Sequence, residues 1–147
     1  SLEYHLFAAK KAPKIIQTGK RRKNWLPDPH RPVYDWSEPV PLLGRALVLA
    51  GDRLVVAGPP DLVDTYDTLR RWGEAKTQAA LAEQAAALGG GKGGRLRVVS
   101  AADGTMQAEV ALDAPPVFDG MIAAGGRLYL ACLDGTVRCL AGAKGGQ

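Results

Sequence analysis

The run of residues most suggestive of chemistry is glycine-rich and contains one lysine, residues 89–94 (GGGKGG). Glycine amides and a lysine ammonium are the groups that cradle a phosphate in phosphate-binding loops. This run lacks the Gly-x-x-x-x-Gly-Lys-Ser/Thr spacing, and it follows a segment of helical composition instead of opening one. We therefore interpret it as a flexible exit from that helical segment.

A basic cluster near the N-terminus, residues 20–23 (KRRK), is followed closely by Trp25. Such a cluster can grip phosphate backbones while the indole ring stacks on a base. Beside several prolines, however, it is more typical of a solvated arm or of a segment that docks on an acidic protein surface. We favour a protein partner over nucleic acid. The candidate partner-binding residues are Lys20, Arg21, Arg22, Lys23, Trp25 and Trp36.

The remaining polar residues form no catalytic or metal-binding pattern. His5 and His30 are the only histidines, and neither has a Cys, His or carboxylate at ligand spacing. Ser37 and Ser100 lack the Gly-x-Ser-x-Gly context of a nucleophile. The three aspartates within residues 61–67 do not form an Asp-x-Asp-x-Asp-Gly calcium loop and are explained by the start of a helix. We predict no catalytic residue and no metal site.

Two cysteines, Cys132 and Cys139, lie on either side of a Leu-Asp-Gly-Thr turn. If residues 134–135 form a two-residue turn, Cys132 faces Val137 and the cysteines are diagonal neighbours, roughly 7–8 Å apart. If residues 135–136 form the turn, the cysteines are directly opposite each other. Asp-Gly is the stronger hairpin signal, so we favour two buried thiols, while the disulfide stays open as the alternative.

Composition divides the chain into an arm, a β-rich body and a tail. Residues 1–32 carry eight Lys or Arg against two acidic residues, a segment charge of +6, and five prolines fall within residues 27–41. Prolines at this density forbid a helix and disfavour a central strand, so residues 1–45 are predicted to be an extended arm with one short strand at residues 4–7. No apolar run approaches the ~20 residues of a membrane span, and no signal-peptide pattern is present.

The body, residues 46–141, alternates short apolar strands with glycine turns, and residues 142–147 form a Gly-rich tail. Residues 64–88 interrupt it with a helical composition that Gly73 divides or bends. Continuous apolar runs indicate strands buried on both faces. The predicted strands are residues 46–50, 53–58, 95–100, 106–112, 120–124, 128–132 and 136–140. They make one four-stranded unit, with the helical insertion between its second and third strands, plus three strands of another.

The chain also repeats itself, since residues 50–58 (AGDRLVVAG) match residues 124–132 (AGGRLYLAC) position by position. A second echo relates the Gly-Gly-Arg-Leu and Asp-Gly-Thr segments that begin at residues 93 and 103 to those that begin at residues 125 and 134. Repeats of strand, glycine turn, strand and Asp-Gly turn are typical of β-propellers.

In residues 126–131 (GRLYLA) and 134–140 (DGTVRCL) the sequence resembles the pyrroloquinoline-quinone (PQQ) type propeller repeat. The wider pattern is similar to the C-terminal blades of large bacterial proteins of the planctomycete type. The resemblance covers about two thirds of the chain and implies an all-β fold: an incomplete β-propeller of about one and a half to two four-stranded blades. Propellers need about four or more blades, so we expect further blades from upstream sequence, a second chain or self-association, unless these strands form a small open sheet instead.

The resemblance leaves three functions open. The first is a non-catalytic scaffold or protein-interaction segment of a larger bacterial protein or complex, periplasmic or extracellular. The second is part of a PQQ-dependent quinoprotein dehydrogenase, in which PQQ and calcium would be held by residues outside this chain. The third is an accessory subunit of a redox or respiratory assembly. We favour the first, because the chain contains neither adjacent cysteines nor a recognisable ligand set for the cofactor.

Overall fold

A computed structural model of the chain describes residues 4–12, 15–17 and 30–142, and side chains within 4–12 and 33–142. The described part is mostly β, as predicted, with two helices in one insertion. Its strands are β1 (His5–Ala8), β2 (Ile15–Gln17), β3 (His30–Pro32), β4 (Trp36–Pro39), β5 (Ala46–Ala50), β6 (Arg53–Gly58), β7 (Gly94–Ser100), β8 (Met106–Leu112), β9 (Pro116–Ala124), β10 (Arg127–Cys132) and β11 (Val137–Ala141). The helices are α1 (Thr65–Arg70) and α2 (Ala75–Leu88), both between β6 and β7.

Two antiparallel sheets form the body. Sheet I has the order β5-β6-β7-β8, and sheet II has the order β11-β10-β9. The predicted four-stranded unit, its helical insertion between the second and third strands, and the three further strands are therefore confirmed. Consecutive strands pair in both sheets, because short glycine turns join most of them and leave no room for a crossover.

Sheet I packs against other elements on both faces. Its front face, which carries Val55, packs against sheet II, and its back face, which carries Val56, packs against a cluster from the N-terminal strands. Successive side chains of a strand point to opposite faces, so a continuous apolar run such as Leu-Val-Val-Ala in β6 is what burial on both faces requires. The front-face core contains Ala46, Val55, Ala57, Leu96 and Leu112 of sheet I, Ala114, and Met121, Leu130 and Cys132 of sheet II.

The N-terminal arm contains four strands where the sequence predicts one. β1 pairs antiparallel with β4, and β2 pairs with β3. The prolines of β3 and β4 stand at the last residue of each strand, and each strand has one neighbour only, so the missing proline N–H costs little. The β1–β4 ladder lies against the back face of sheet I through Leu6 and Val40, together with the fully buried Leu42.

The helical insertion starts and breaks at the predicted places. The carboxylate of Asp64 caps α1 by accepting a hydrogen bond from the amide of Asp67 at 2.7 Å. Gly73 lies in the break between the two helices, because the low helix propensity of glycine disfavours a continuation of α1. Gln84 anchors α2, because its amide nitrogen donates to the carbonyl of Pro60 (3.1 Å) and its oxygen accepts from the amide of Leu62 (2.7 Å).

Both registers predicted for the cysteine hairpin are wrong. The amide of Cys132 donates to the carbonyl of Thr136 (2.9 Å), and that of Gly135 donates to the carbonyl of Cys132 (3.1 Å). The turn therefore has three residues, with Gly135 in the left-handed region at φ +80°, which a β-bulge turn requires. Cys139 consequently lies opposite Tyr129. Both thiols are free, but only Cys132 is buried, and Cys139 is exposed, contrary to the expectation of two buried thiols.

Candidate interaction surfaces

The predicted partner-binding residues fall into two groups. Residues 20–25, with the basic cluster and Trp25, lie outside the described residues. Trp36 lies in β4, where its indole nitrogen donates a hydrogen bond to the carbonyl of Ala101 at 3.0 Å and its ring packs against the turn at Gly104. The ring is half-buried in the cluster on the back face of sheet I. Trp36 therefore holds the β1–β4 ladder to sheet I and presents little surface to a partner.

Two of the polar residues considered for chemistry, His5 and Ser37, lie close to each other. Within the described part of the chain, no three His, Cys, Asp or Glu side chains come together in a group that could hold a metal ion. The Nδ1 atom of His5 lies 3.4 Å from the Oγ atom of Ser37, and both side chains are exposed on the β1–β4 ladder. No helix in the described ranges has the length and apolarity needed to span a bilayer.

A bulge in β9 links sheet II to the end of the helical insertion. Residues 117–120 interrupt the register between β9 and β10, and Asp119 takes a left-handed conformation at φ +54°. Its amide donates to the carbonyl of Arg45 at 3.0 Å. The Arg45 guanidinium lies 5.3 Å from the ring centroid of Phe118 and donates to the carbonyl of Leu88 at 2.6 Å. A cation at a helix C-terminus is favourable, so Arg45 stabilises the end of α2 while holding the bulge.

The first candidate surface, the helical ridge, consists of Leu62, Tyr66, Leu69 and Trp72. α1 buries no residue, and Tyr66, Leu69 and Trp72 are each about 60% exposed. Spacings of three residues place them along one side of the helix and its extension. Arg70 lies over the Tyr66 ring at 5.6 Å, which leaves its charge beside the ridge. Aromatic residues flanked by arginine are the composition enriched at protein interfaces.

The second candidate surface is the front face of sheet II. Its members are Ile122 and Ala124 of β9, Arg127, Tyr129 and Ala131 of β10, and Val137 and Cys139 of β11. They alternate with the residues that face sheet I, such as the fully buried Leu130. Ile122 is 61% exposed and Val137 is 72% exposed. Among the described residues of this otherwise apolar face, Arg127 is the one charged side chain.

The third candidate surface is a cleft between the two sheets with a volume of about 730 Å³. Val98, Ala108 and Val110 of sheet I form one wall, and Leu128 and Leu140 of sheet II form the other. At the opposite end of the sheets, Arg138 of β11 is paired with Asp113 at 2.7 Å and with Asp134 at 3.4 Å. The ion pair with Asp113 thus ties sheet II to the segment after β8, whereas the glycine turns at residues 51 and 125–126 line the cleft.

Two Asp-Gly-Thr turns show the same electrostatic pattern. Hydrogen bonds from Thr136, first the hydroxyl and then the amide, hold the pKa of the Asp134 carboxyl below its ordinary value. The corresponding hydrogen bonds from Thr105, with its amide first, lower the pKa of Asp103. Burial raises the pKa of the Cys132 thiol. The lowered pKa values therefore come from hydrogen bonds that hold these turns together. The turns stabilise the strand ends that bring the candidate surfaces into position.

Sequence reasoning missed all three candidate surfaces as sites. The signal for the ridge was the three-residue spacing of Tyr66, Leu69 and Trp72 within the segment that we assigned as helical from its composition. The signal for the front face of sheet II was the internal repeat, in which Tyr129 corresponds to Val55. No family model matches the chain, and neither the curated proteins nor the solved structures contain a match to it.

Proposed function

We propose that this chain is a non-catalytic β-propeller scaffold, or protein-interaction segment, of a larger bacterial protein or complex in the periplasm or outside the cell. In this proposal sheet I is one blade and sheet II is part of the next blade. The observation that carries the proposal is the exposed apolar front face of sheet II, because its counterpart in sheet I is buried.

The internal repeat defines that counterpart. Residues 50–58 correspond to residues 124–132, so Val55 of β6 corresponds to Tyr129 of β10. Val55 is buried where the front face of sheet I packs on the back face of sheet II. Tyr129 occupies the same place on the front face of sheet II, where it is half-buried and its neighbours Ile122 and Val137 are exposed. Two sheets stacked in the same orientation extend naturally to a third, and the face that would receive it is exposed.

The energetics favour covering this face. Full burial of a side chain such as Ile122 or Val137 contributes about 1.5–3 kcal/mol relative to exposure, and these two are 61% and 72% exposed. Contiguous apolar faces of this kind mark interaction sites on proteins. A further β-sheet whose own contacting face carries Leu and Val at alternate positions would match the way sheets I and II already pack.

The helical ridge supports the same function. Gln84 and Arg45 fix α2 to residues 60–62 and to the β9 bulge. The Gln78 side chain of α2 donates a hydrogen bond to the carbonyl of Trp72, which ties the end of the ridge to α2 and lowers the entropy lost when a partner binds. Residues 20–25 remain a prediction for a second contact with an acidic partner surface.

Native mass spectrometry of the protein from its own source tests the proposal, since it weighs the intact assembly and reveals any bound cofactor. We expect a mass well above the 15.5 kDa of the chain and no bound PQQ. Ile122→Glu should release the chain from that assembly, whereas Leu49→Glu, a matched change at a 62% exposed leucine on the back face of sheet I, should not. A 15.5 kDa species alone would contradict the scaffold, and bound PQQ would assign the dehydrogenase function instead.

A further inference from the structure

Sheet II has three strands, whereas sheet I has four. The first repeat, residues 50–58 with residues 124–132, aligns β10 with β6, whereas the second echo aligns β10 with β7 and β11 with β8. Within the described residues β11 pairs with β10 only, so it is an edge strand of sheet II. An edge of this kind presents unpaired amide and carbonyl groups, which bind a further strand wherever no charge, proline or bulge prevents it.

The main-chain groups of alternate residues in β11 point out of sheet II. The amide of Cys132 donates to the carbonyl of Thr136 at 2.9 Å, so these two residues form a hydrogen-bonded pair. Such pairs alternate along an antiparallel ladder, so the even-numbered residues of β11 bond to β10. The amide and carbonyl groups of Val137, Cys139 and Ala141 therefore face the free edge.

The cleft between the sheets lies beside this edge. Ala141 and Leu140 of β11 line it, and so do Ala108 and Val110 of β8. Within the described residues, β8 makes no extensive contact with a strand of sheet II. Val110 is 41% exposed in consequence. The cleft of about 730 Å³ is thus a space next to unpaired main-chain groups, with apolar walls.

Two arginines, Arg53 and Arg127, line this space. Arg53 lies 3.9 Å from the carboxylate of Asp52. The Arg127 guanidinium points across the sheet toward β11, where its Nη1 atom lies 3.9 Å from the Sγ atom of Cys139. Within the described part of the chain it forms no ion pair. Arg127 is opposite Ala141, at the end of β11 where an antiparallel neighbour would begin. A carboxylate near the N-terminal end of that neighbour would complement this charge.

We propose that the edge of β11 and the adjacent cleft bind an extended segment of another polypeptide as a fourth, antiparallel strand of sheet II. The segment carries apolar side chains at alternate positions, which enter the cleft against Ala108 and Val110. It carries an acidic residue near its N-terminal end, which pairs with Arg127. Main-chain hydrogen bonds to residues 137, 139 and 141 supply the affinity, and the cleft and Arg127 supply the specificity.

The first experiment uses a fluorescein-labelled peptide with glutamate near its N-terminus followed by alternating valine and threonine. Fluorescence anisotropy measures its binding to the intact chain. We expect saturable binding, with Cys139→Pro weakening it about tenfold or more, because proline removes one outward-facing amide. Cys139→Ala is the matched control, since it removes the same thiol but keeps the amide, and it should bind as the unaltered chain does. Equal affinities of the two variants, or no binding to the unaltered chain, would overturn the proposal.

Val110→Asp provides a second test that does not disturb the edge strand itself. The substitution places a charge in the cleft at a side chain that is already 41% exposed, so the fold should tolerate it while peptide binding is lost. Arg127→Met should weaken the glutamate peptide about two- to fivefold and leave a glutamine peptide unchanged. If Arg127→Met weakened the binding of both peptides to the same extent, Arg127 would not recognise the glutamate and would not belong to the site.

Amide hydrogen exchange locates the bound strand. Peptide should slow exchange at residues 137, 139 and 141 and leave residues 138 and 140 unaffected, since these are already bonded to β10. Protection without added peptide, together with a dimer mass, would show that a second copy occupies the edge and would overturn the choice of partner. Ile122→Glu should leave peptide binding intact, so failure of the front-face interaction and failure of this site are separable.

Discussion

Val55 and Val56 are neighbours in β6, yet their side chains are buried in two different cores. Val55 lies between sheets I and II, and Val56 lies between sheet I and the β1–β4 ladder. Sheet I is therefore the middle layer of three, and it positions two of the three candidate surfaces: the helical ridge through the insertion after β6, and one wall of the cleft through β7 and β8. The stability of this layer should decide whether the surfaces are presented at all.

The inter-sheet core should be far more sensitive to truncation than the exposed faces. Leu130→Ala removes a fully buried side chain from the contact of the two sheets, and we expect a loss of about 2–5 kcal/mol in the free energy of unfolding. Leu49→Ala, at a side chain that is 62% exposed, should change it by less than about 0.5 kcal/mol. Urea-induced unfolding measures both, and equal changes in the two variants would contradict the assignment of this core.

Local signals predicted most of sheets I and II. Gly51-Asp52 and the Asp-Gly turns fix hairpins within a few residues, and the helical segment is bounded by Asp64 and the glycines after residue 88. The repeat of residues 50–58 at residues 124–132 also identified which strands are equivalent. These features depend on sequence neighbours, so the sequence alone contains them.

The features that prediction missed depend on distant residues. His5 pairs with Pro39 across more than thirty residues of charged and proline-rich sequence that shows no period. Trp36 was predicted to be a contact residue. Its hydrogen bond to the carbonyl of Ala101 can be identified only from tertiary structure, so the sequence did not show that this side chain is held within the fold. The predicted registers of the cysteine hairpin are wrong because a three-residue bulge turn replaces the two-residue turn that Asp-Gly favours.

The Asp134 turn should make stability depend on acid. Hydrogen bonds from Thr136 lower the pKa of the Asp134 carboxyl in the folded chain. The carboxylate therefore stabilises the fold at any pH above the ordinary aspartate value of about 3.9, and this contribution is lost as the pH falls through the lower folded-state pKa. The difference in thermal midpoint between the unaltered chain and Asp134→Asn should shrink as the pH is lowered from about 5 to 2. A difference that stays constant across this range would argue against the turn as its source.

The two thiols should react at different rates. The Cys139 side chain is exposed, whereas Cys132 is buried and its thiol has a raised pKa because of desolvation, so little thiolate forms there. A colorimetric thiol reagent should titrate one cysteine rapidly in the folded chain and the second only in denaturant. Cys139→Ser should abolish the rapid phase, and Cys132→Ser should preserve it. Two rapid phases would show that the inter-sheet core opens easily beside Cys132.

Trp36 and Trp72 offer a matched pair that separates a structural indole from an exposed one. Trp36→Phe removes the hydrogen bond to the carbonyl of Ala101 and should lower the free energy of unfolding by about 0.5–1.5 kcal/mol, since the carbonyl loses its donor. Trp72→Phe, on the helical ridge and 59% exposed, should change it by less than about 0.5 kcal/mol. Urea unfolding followed by far-ultraviolet circular dichroism measures both without relying on tryptophan emission. If Trp72→Phe proved the more costly change, the ridge would be packed within the chain and could not serve as a surface for a partner.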